Sequence, residues 1–210
     1  MNTLAKPKEN LIDPLILIPI LLLTSISALF IFSASNVIAS ENFNNPFFFI
    51  ERQVVAFGLS LIMFSVFLFI PISFYRENGL LLFFLSAILL ALVLIPGIGR
   101  EVNGSRRWLD LGFMNMQPSE VAKIFVPIYL CGYCLRRKEQ LESSWRGFLK
   151  PIVITSLISI LLFFEPDIGA MVVIFAIGIG ILFIGGAKLS QLGILTIIFV
   201  TLVSIFIYFN

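Results

Sequence analysis

Long stretches without a charged residue constrain this chain more than any other feature of its sequence. No charge occurs between Asp13 and Glu41, and the apolar core of that stretch covers residues 14–35. A helix needs about 20 apolar residues to cross a bilayer, and several later stretches reach that length. Hydrophobic residues make up 59% of the 210 residues and charged residues only 12%, a balance that a soluble domain of this size could not bury. We therefore predict an integral membrane protein.

Charge positions divide the chain into about seven predicted transmembrane helices, so the predicted fold class is an all-α polytopic membrane protein. Two spans are less regular than the others. One begins with Glu120 and Lys123, and another would be only about 21 Å long, shorter than a hydrocarbon core of about 30 Å. We expect a single transmembrane domain, 1–210, with spans at 14–35, 54–75, 79–99, 116–135, 151–164, 168–187 and 189–210.

The distribution of basic residues predicts the orientation, because cytoplasmic loops are enriched in Lys and Arg. A cytoplasmic N-terminus places nine of the fourteen basic residues inside and five outside or at the outer edge. The inner residues are Lys6, Lys8, Arg76, Arg136, Arg137, Lys138, Arg146, Lys150 and Lys188, and the outer ones are Arg52, Arg100, Arg106, Arg107 and Lys123. We therefore predict that the N-terminus is cytoplasmic.

Basic residues on the outer side are clustered, which the orientation rule does not favour. Four of the five lie between Arg100 and Lys123. One interpretation is a solvated loop with a turn at Asn103-Gly104. The other is an anion site, because Arg binds phosphate through paired hydrogen bonds and Lys adds a point charge. The residues alone leave both interpretations open.

Glu120 and Lys123 follow a predicted helix start at Pro118, a residue that suits the first helical position. A carboxylate at Glu120 could bond the unpaired amides of the first turn. Lys123 has no such explanation, since a cation near a helix N-terminus opposes the helix dipole. The two residues are three apart and share one helix face. The pair predicts the wall of a polar cavity that opens outward.

The third polar cluster is Glu165-Pro166-Asp167, which follows the shortest predicted span. Pro166 interrupts the helix there. Either the bilayer adapts to a short helix, or the two carboxylates lie below the outer surface. An ordinary loop between two helices is the alternative.

The His and Cys content of the chain argues against metal binding and histidine-based acid-base chemistry. His is absent, which removes the side chain that most often titrates near neutral pH and the commonest metal ligand. Cys131 and Cys134 form a CxxC pattern in an apolar span, but no second pair accompanies them. We interpret both as small packing residues and predict no metal site.

Four motifs occur in order along the chain. They are Phe32-Ser33-Ala34-Ser35, the segment 102–109 with Leu111-Gly112, the segment 117–123, and the segment 165–170. Together they resemble the SEDS family of bacterial membrane proteins, the FtsW, RodA and SpoVE type, over nearly the whole chain. Segments 97–101 and 181–189 are more similar to the division branch (FtsW) than to the elongation branch (RodA).

The resemblance implies the N-terminal part of a bundle of about ten helices and a peptidoglycan glycosyltransferase. Such an enzyme polymerises lipid II at the outer leaflet during cell division. Arg107, Lys123 and Arg106 would bind the substrate pyrophosphate, and Glu120 and Asp167 would line the cavity. The acid proposed as catalytic base in this family lies beyond Asn210, so the catalytic residue is unassigned and this chain alone is expected to be inactive.

The resemblance also implies partners and a location. The expected partners are lipid II, a class B penicillin-binding transpeptidase and other membrane proteins of the division machinery, with no nucleic acid. The expected location is the bacterial cytoplasmic (inner) membrane at the division septum. A lipid II flippase, an elongation-type polymerase and a non-catalytic scaffold for the transpeptidase are the alternatives. Dependence on a divalent cation is left open.

Overall fold

The computed structural model describes residues 13–102, 105–112 and 115–209. Its contacts divide the chain into two compact units, Met1–Pro71 and Ile72–Asn210, where the sequence analysis expects one domain. We call them unit 1 and unit 2 and describe each by itself. Lys6 and Lys8, two of the nine basic residues predicted to be cytoplasmic, lie outside the described residues.

The described part of unit 1, from residue 13 on, contains two helices, α1 (Pro14–Phe43) and α2 (Phe48–Phe69). The Asp13 side chain caps α1 by accepting a hydrogen bond of 2.9 Å from the amide of Leu15. The helix ends at Asn44, which adopts the left-handed conformation with φ of 51°. Both boundaries differ from the prediction: α1 continues past residue 35 for a total of 30 residues, and α2 begins before residue 54. Single polar or charged residues do not end a helix, whereas the Asn44–Pro46 turn does.

Unit 2 contains six helices and a small sheet among the described residues. The α3 and α4 helices pack along each other, and α4 also packs against α6 and α7. Gly79 on α3 permits a close approach, because a Cβ there would lie 3.4 Å from the carbonyl oxygen of Ile128 on α4. The helices are α3 (Ile72–Leu94), α4 (Pro118–Arg136), α5 (Lys138–Ser143), α6 (Trp145–Phe164), α7 (Ile168–Ile184) and α8 (Leu189–Phe209).

The prediction of a helical polytopic membrane protein is confirmed. Within the described residues, five helices are long and apolar enough to cross a bilayer, namely α1, α2, α3, α6 and α8. The remaining two predicted spans correspond to α4, which carries three charged residues, and to α7, which is apolar but has only 17 residues. Large apolar side chains lie on the outside of these helices, for example Ile72 at 84% and Ile184 at 85% exposure. Such surfaces suit lipid contact.

One predicted span was wrong in a way that matters for the site. The span 151–164 was predicted to be too short for the bilayer, but α6 begins at Trp145 and has 20 residues. Ser144 caps this helix, and Arg146, Lys150 and Pro151 all lie in its first two turns. A proline near a helix start does not end the helix. Hydrophobic mismatch therefore does not place Glu165 and Asp167 below the surface.

A three-stranded antiparallel sheet follows α3, which the all-α prediction did not include. Its strands are β1 (Gly99–Val102), β2 (Ser105–Asp110) and β3 (Asn115–Met116), in the order β1-β2-β3. Val102 pairs with Ser105, and the sequence predicts a turn at Asn103-Gly104. That turn lies outside the described residues. Between the pairs Glu101–Arg106 and Arg100–Trp108 the register shifts, which makes Arg107 the extra residue of a β-bulge.

The sheet begins directly against the end of α3, which leads to a first prediction. A Cβ at Gly99 would overlap the carbonyl oxygen of Val93, whereas a Cβ at Gly58 on α2 would have no atom within 4 Å. We expect Gly99→Ala to lower the free energy of unfolding by about 1–3 kcal/mol and Gly58→Ala to leave it unchanged or raise it. Thermal unfolding of both variants in detergent measures the difference. Equal melting temperatures would contradict the close packing of β1 on α3.

Candidate functional site

Three segments of unit 2 meet at one end of its helices and carry most of the polar residues singled out from the sequence. They are strand β2 with Arg107, the start of α4 with Gln117 and Ser119, and the turn between α6 and α7 with Glu165 and Asp167. We call this group the polar junction. It brings together residues that are about 50 to 60 positions apart in the chain.

Asp167 is the centre of the polar junction. Its Oδ1 accepts a hydrogen bond of 3.1 Å from the amide of Ala170 and so caps α7. Its Oδ2 accepts bonds of 3.1 Å from Gln117 Nε2 and 3.0 Å from Ser119 Oγ. The residue is only 7% exposed, and a buried carboxylate needs donors of this kind. Asp167 therefore joins the start of α4 to the start of α7.

Arg107 reaches the same turn from strand β2. Its Nε donates a hydrogen bond of 3.1 Å to the carbonyl oxygen of Glu165, and its Nη2 donates one of 2.6 Å to the carbonyl oxygen of Pro166. The position of Arg107 in a β-bulge is typical of sites where a strand redirects a side chain. Two of the five guanidinium N–H donors are used in these bonds. The contacts fix the group while leaving donors for an anion.

Glu165 is the unusual member of the polar junction. Its side chain is fully buried, and neither Oε1 nor Oε2 has a hydrogen-bond partner. Burial raises the pKa of the Glu165 carboxyl from 4.5 to about 8, and the nearby Asp167 carboxylate adds to the rise while Arg107 opposes it. A buried acid without donors favours its neutral form. Glu165 is therefore mostly protonated at neutral pH.

The buried acid predicts a pH-dependent stability. Between pH 4.5 and about 8 the folded chain holds a proton on Glu165 that an unfolded chain releases, so the free energy of unfolding falls as pH rises through this window. We expect Glu165→Gln, which keeps the shape without the charge, to remove this slope and to be more stable than wild type at pH 8.5. Melting temperatures of both proteins at pH 5.5 and 8.5 measure this pH dependence. Glu77→Gln, at an exposed position, should keep the slope, and a wild-type slope in Glu165→Gln would contradict the assignment.

Glu120 and Lys123 lie in the first two turns of α4 and bond each other. The distance from Lys123 Nζ to Glu120 Oε1 is 2.7 Å, with side-chain exposures of 25% and 60%. Gln117, the N-cap residue, makes no capping bond with its side chain. Glu120 lies in the first turn of α4, as the helix-start interpretation expects, and its carboxylate also bonds the ammonium group of Lys123. A cavity lined by Glu120 and Asp167 stays a prediction.

Arg100 and Arg106, the two other basic residues of the sheet, form ion pairs. Arg106 Nε lies 3.4 Å from Glu101 Oε2, and Arg100 Nη1 lies 3.6 Å from Asp110 Oδ2. All four side chains are 41–55% exposed, and exposed pairs of this kind contribute little to stability. Arg106 bonds within the hairpin, whereas Arg107 bonds to the α6–α7 turn. The predicted grouping of Arg106, Arg107 and Lys123 around one anion stays a prediction.

Three members of the polar junction are not among the site residues that the sequence predicts. Gln117 and Ser119 flank Pro118 at the start of α4, and both donate to Asp167. The sequence places Glu165 in a charged turn but gives it no role in the site. Two polar side chains around a helix-starting proline are the signal that could have identified the first two. Within the described ranges no three His, Cys, Asp or Glu side chains are arranged to hold a metal ion.

The fold and the polar junction define a helical polytopic membrane protein with a charged site at the ends of its helices. A family model described as cell cycle protein, of the FtsW, RodA and SpoVE type, matches residues 13–210. The chain belongs to this family, as its motifs indicated.

Several relatives support the division branch. The chain is 47% identical over 161 residues to the "Probable peptidoglycan glycosyltransferase FtsW" of Nitrosococcus halophilus, covering 75% of this chain and 40% of that protein. It is 45% identical over 159 residues to the protein of the same name from Marinomonas mediterranea, covering 76% and 39%. The chain thus spans about two fifths of the length of these curated relatives.

Solved structures show the same fold. The rod shape determining protein RodA of Thermus thermophilus aligns with a TM-score of 0.65 at 26% identity, covering 85% of this chain and 58% of RodA. A chain from a structure titled "Structural coordination of polymerization and crosslinking by a peptidoglycan synthase complex" aligns with a TM-score of 0.64 at 26% identity, covering 86% and 52%.

Proposed function

We propose that this chain forms the N-terminal part of a peptidoglycan glycosyltransferase that polymerises lipid II at the outer leaflet during cell division. The names of the relatives support this activity, since they are called probable peptidoglycan glycosyltransferase FtsW. The observation that carries the proposal is Arg107, a cation fixed by two backbone carbonyl groups beside a buried acidic turn. The catalytic base is expected outside this chain.

The proposed orientation has a cytoplasmic N-terminus in the inner membrane of a bacterium, with the polar junction facing outward at the septum. The charges of unit 2 support it. One end carries seven basic and three acidic residues, a formal charge of +4. The end with the polar junction carries four basic and five acidic residues, a formal charge of −1. Because Lys and Arg are enriched on the cytoplasmic side, the end with seven basic residues is the proposed cytoplasmic end.

The reaction proposed is attack of an acceptor sugar hydroxyl on the anomeric carbon of a lipid-linked glycan. The new glycosidic bond forms as the bond to undecaprenyl pyrophosphate breaks, and the hydroxyl proton goes to the base. Negative charge grows on the departing pyrophosphate. Cations that are already in place stabilise this charge without the cost of moving into position, and Arg107 meets that requirement because the turn holds it.

Lys123 is the second proposed pyrophosphate ligand, with Arg106 as a third. Glu120 keeps the Lys123 ammonium group 2.7 Å from its carboxylate, and Glu120 is the more exposed partner. A pyrophosphate has more negative charge than a carboxylate and can compete for the lysine. Glu120 would then position Lys123 before substrate arrives, and Asp167 would fix the geometry of the helix starts around the site.

Proposed partners are a class B penicillin-binding transpeptidase and other division proteins of the membrane. The structural likeness to a chain of a peptidoglycan synthase complex supports such an assembly in general. Reconstitution with lipid II tests the function. Glycan polymer formed by a protein of the relatives' full length containing this sequence would support an enzyme. Transfer of lipid II between leaflets without polymer would indicate a flippase. Polymer formed only by the transpeptidase partner would indicate a scaffold.

The proposed orientation predicts opposite labelling of two positions. Leu111 beside the sheet and Glu139 on α5 are both exposed. In a chain without Cys131 and Cys134, Leu111→Cys should react with a membrane-impermeant maleimide from the outside of intact cells. Glu139→Cys should react only after the membrane is opened. Labelling of both positions from one side would contradict the outward site.

A further inference from the structure

The end of unit 2 opposite the polar junction holds two adjoining cavities of opposite character. One has a volume of about 350 Å³ and is lined by Arg136, Arg137 and Lys138, with Glu139 as the single carboxylate. We call it the basic cavity. The other, of about 400 Å³, is lined mainly by apolar atoms of Cys131, Ile181 and Ile184. We call it the apolar cavity.

The two cavities adjoin each other and share lining residues. Leu135 and Lys138 contribute to both, so the two cavities lie on either side of the same residues. The apolar cavity lies between the ends of α4 and α7, and Ile184 in its wall is 85% exposed. Volumes of this size are typical of ligand sites. A ligand that fits both has a charged group attached to a hydrocarbon chain.

The charges of the basic cavity select the sign of that group. Three cations and one carboxylate line the cavity, and with Glu142 beside Lys138 the local net charge is +1. Arg136 is partly engaged, since its Nη1 donates a hydrogen bond of 3.0 Å to the carbonyl oxygen of Arg76. Lys138 lies 3.8 Å from Glu142 in a loose exposed pair. Such groups suit a phosphate, which Arg binds through paired hydrogen bonds and Lys as a point charge.

The surroundings place these cavities at a membrane interface. Trp145, at 50% exposure, begins α6 at the same end, and Trp is enriched where lipid headgroups meet the hydrocarbon. Arg146 and Lys150 follow it on α6. Basic pockets between transmembrane helices on the cytoplasmic side are suited to anionic headgroups.

We propose that the basic and apolar cavities together bind one anionic phospholipid of the adjacent leaflet, its phosphate beside Arg137 and Lys138 and an acyl chain against Cys131 and Ile184. This site is separate from the polar junction and does not depend on glycosyltransferase activity. It makes the α4–α5 and α7 ends a lipid-dependent element of unit 2. A zwitterionic phospholipid has the same chains but no net negative charge, and binds more weakly.

Lipid retention by the purified chain tests this site. The 210-residue protein is exchanged into detergent with equal amounts of phosphatidylglycerol and phosphatidylcholine, and bound lipid is counted by native mass spectrometry. Wild type should prefer phosphatidylglycerol. The Arg137→Gln/Lys138→Gln variant should lose that preference by on the order of ten- to thirtyfold, since each basic residue near a lipid surface contributes about a factor of five.

A matched control removes the same charge from outside the cavities. Arg146→Gln/Lys150→Gln changes the net charge equally at the same end, and neither residue lines either cavity. It should keep the preference of wild type. Equal losses in both double variants would overturn the site and leave only general surface attraction, and equal binding of the two lipids by wild type would also overturn it.

The apolar half is tested without changing charge. Cys131 is exposed, so Cys131→Trp can fill the apolar cavity and should reduce phosphatidylglycerol retention several-fold while the melting temperature without added lipid stays unchanged. Unchanged retention in Cys131→Trp would contradict an acyl chain there. Displacement of phosphatidylglycerol by millimolar inorganic phosphate would show that the basic cavity binds free phosphate and would overturn the lipid assignment.

Discussion

Replacement of Asp167 by Ala is expected to lower the free energy of unfolding of unit 2 by about 3–5 kcal/mol. The variant removes the acceptor for three donors at once: the amide of Ala170, Gln117 Nε2 and Ser119 Oγ. Ser119 is fully buried, so water cannot easily replace the lost carboxylate. Because a loss of 1 kcal/mol lowers the melting temperature of a chain of this size by about 2–4 °C, we expect a decrease of roughly 10 °C.

Two further variants test how much of this loss comes from the hydrogen bonds that Asp167 accepts. Asp167→Asn keeps an oxygen for the Ala170 amide but presents an NH₂ group to donors, so its loss should be intermediate. Asp110→Ala removes a carboxylate that also caps a local turn, through a bond of 2.8 Å from the amide of Gly112, but at an exposed position. It should cost no more than about 1 kcal/mol. Similar melting temperatures for Asp167→Ala and Asp110→Ala would contradict the central position of Asp167.

Replacement of Arg107 or Lys123 by Ala is expected to lower the polymerisation rate about ten- to hundredfold in a protein of the relatives' full length that contains this sequence. A hydrogen bond to a charged group contributes about 1.5–3 kcal/mol, and each 1.36 kcal/mol in the barrier changes the rate tenfold. The loss should appear in kcat, because charge on the leaving pyrophosphate grows in the transition state. Initial rates with purified lipid II measure it.

Arg100→Ala is the matched control, since Arg100 is a basic residue of the same sheet whose side chain pairs with Asp110. It should retain the wild-type rate. Arg107→Ala also removes bonds to the α6–α7 turn, so its melting temperature must be compared with that of Arg107→Lys, which restores the charge without the paired geometry. A wild-type rate in stable Arg107→Ala and Lys123→Ala proteins would show that these cations serve only the fold.

Helices could be predicted from the sequence, but their ends could not. Uncharged stretches located the five helices that, among the described residues, are long and apolar enough to cross a bilayer, because a charge inside the bilayer is costly. The same rule misplaced the start of α3, which includes Arg76 and Glu77, since charges in the first turns of a helix can lie at the interface. Pro71 is the actual boundary between α2 and α3.

The sheet and the polar junction depend on contacts between distant parts of the chain. Strands β1 and β2 are short and rich in charge, which hides the alternation that predicts a strand. The carbonyl groups that bind Arg107 lie 58 and 59 residues away, and no local pattern indicates such a pairing. By contrast, Asp167 before a helix is a local signal for an N-cap, and the structure shows that cap.

The most direct test of the proposed glycosyltransferase activity is to measure the stoichiometry of the reaction. A protein of the relatives' full length containing this sequence would be reconstituted in liposomes with labelled lipid II, and both glycan bonds and free undecaprenyl pyrophosphate would be quantified over time. We predict one pyrophosphate released for each new glycosidic bond, with both rates reduced in parallel by Arg107→Ala. Movement of lipid II across the bilayer with neither product formed would contradict the enzyme and indicate a transporter.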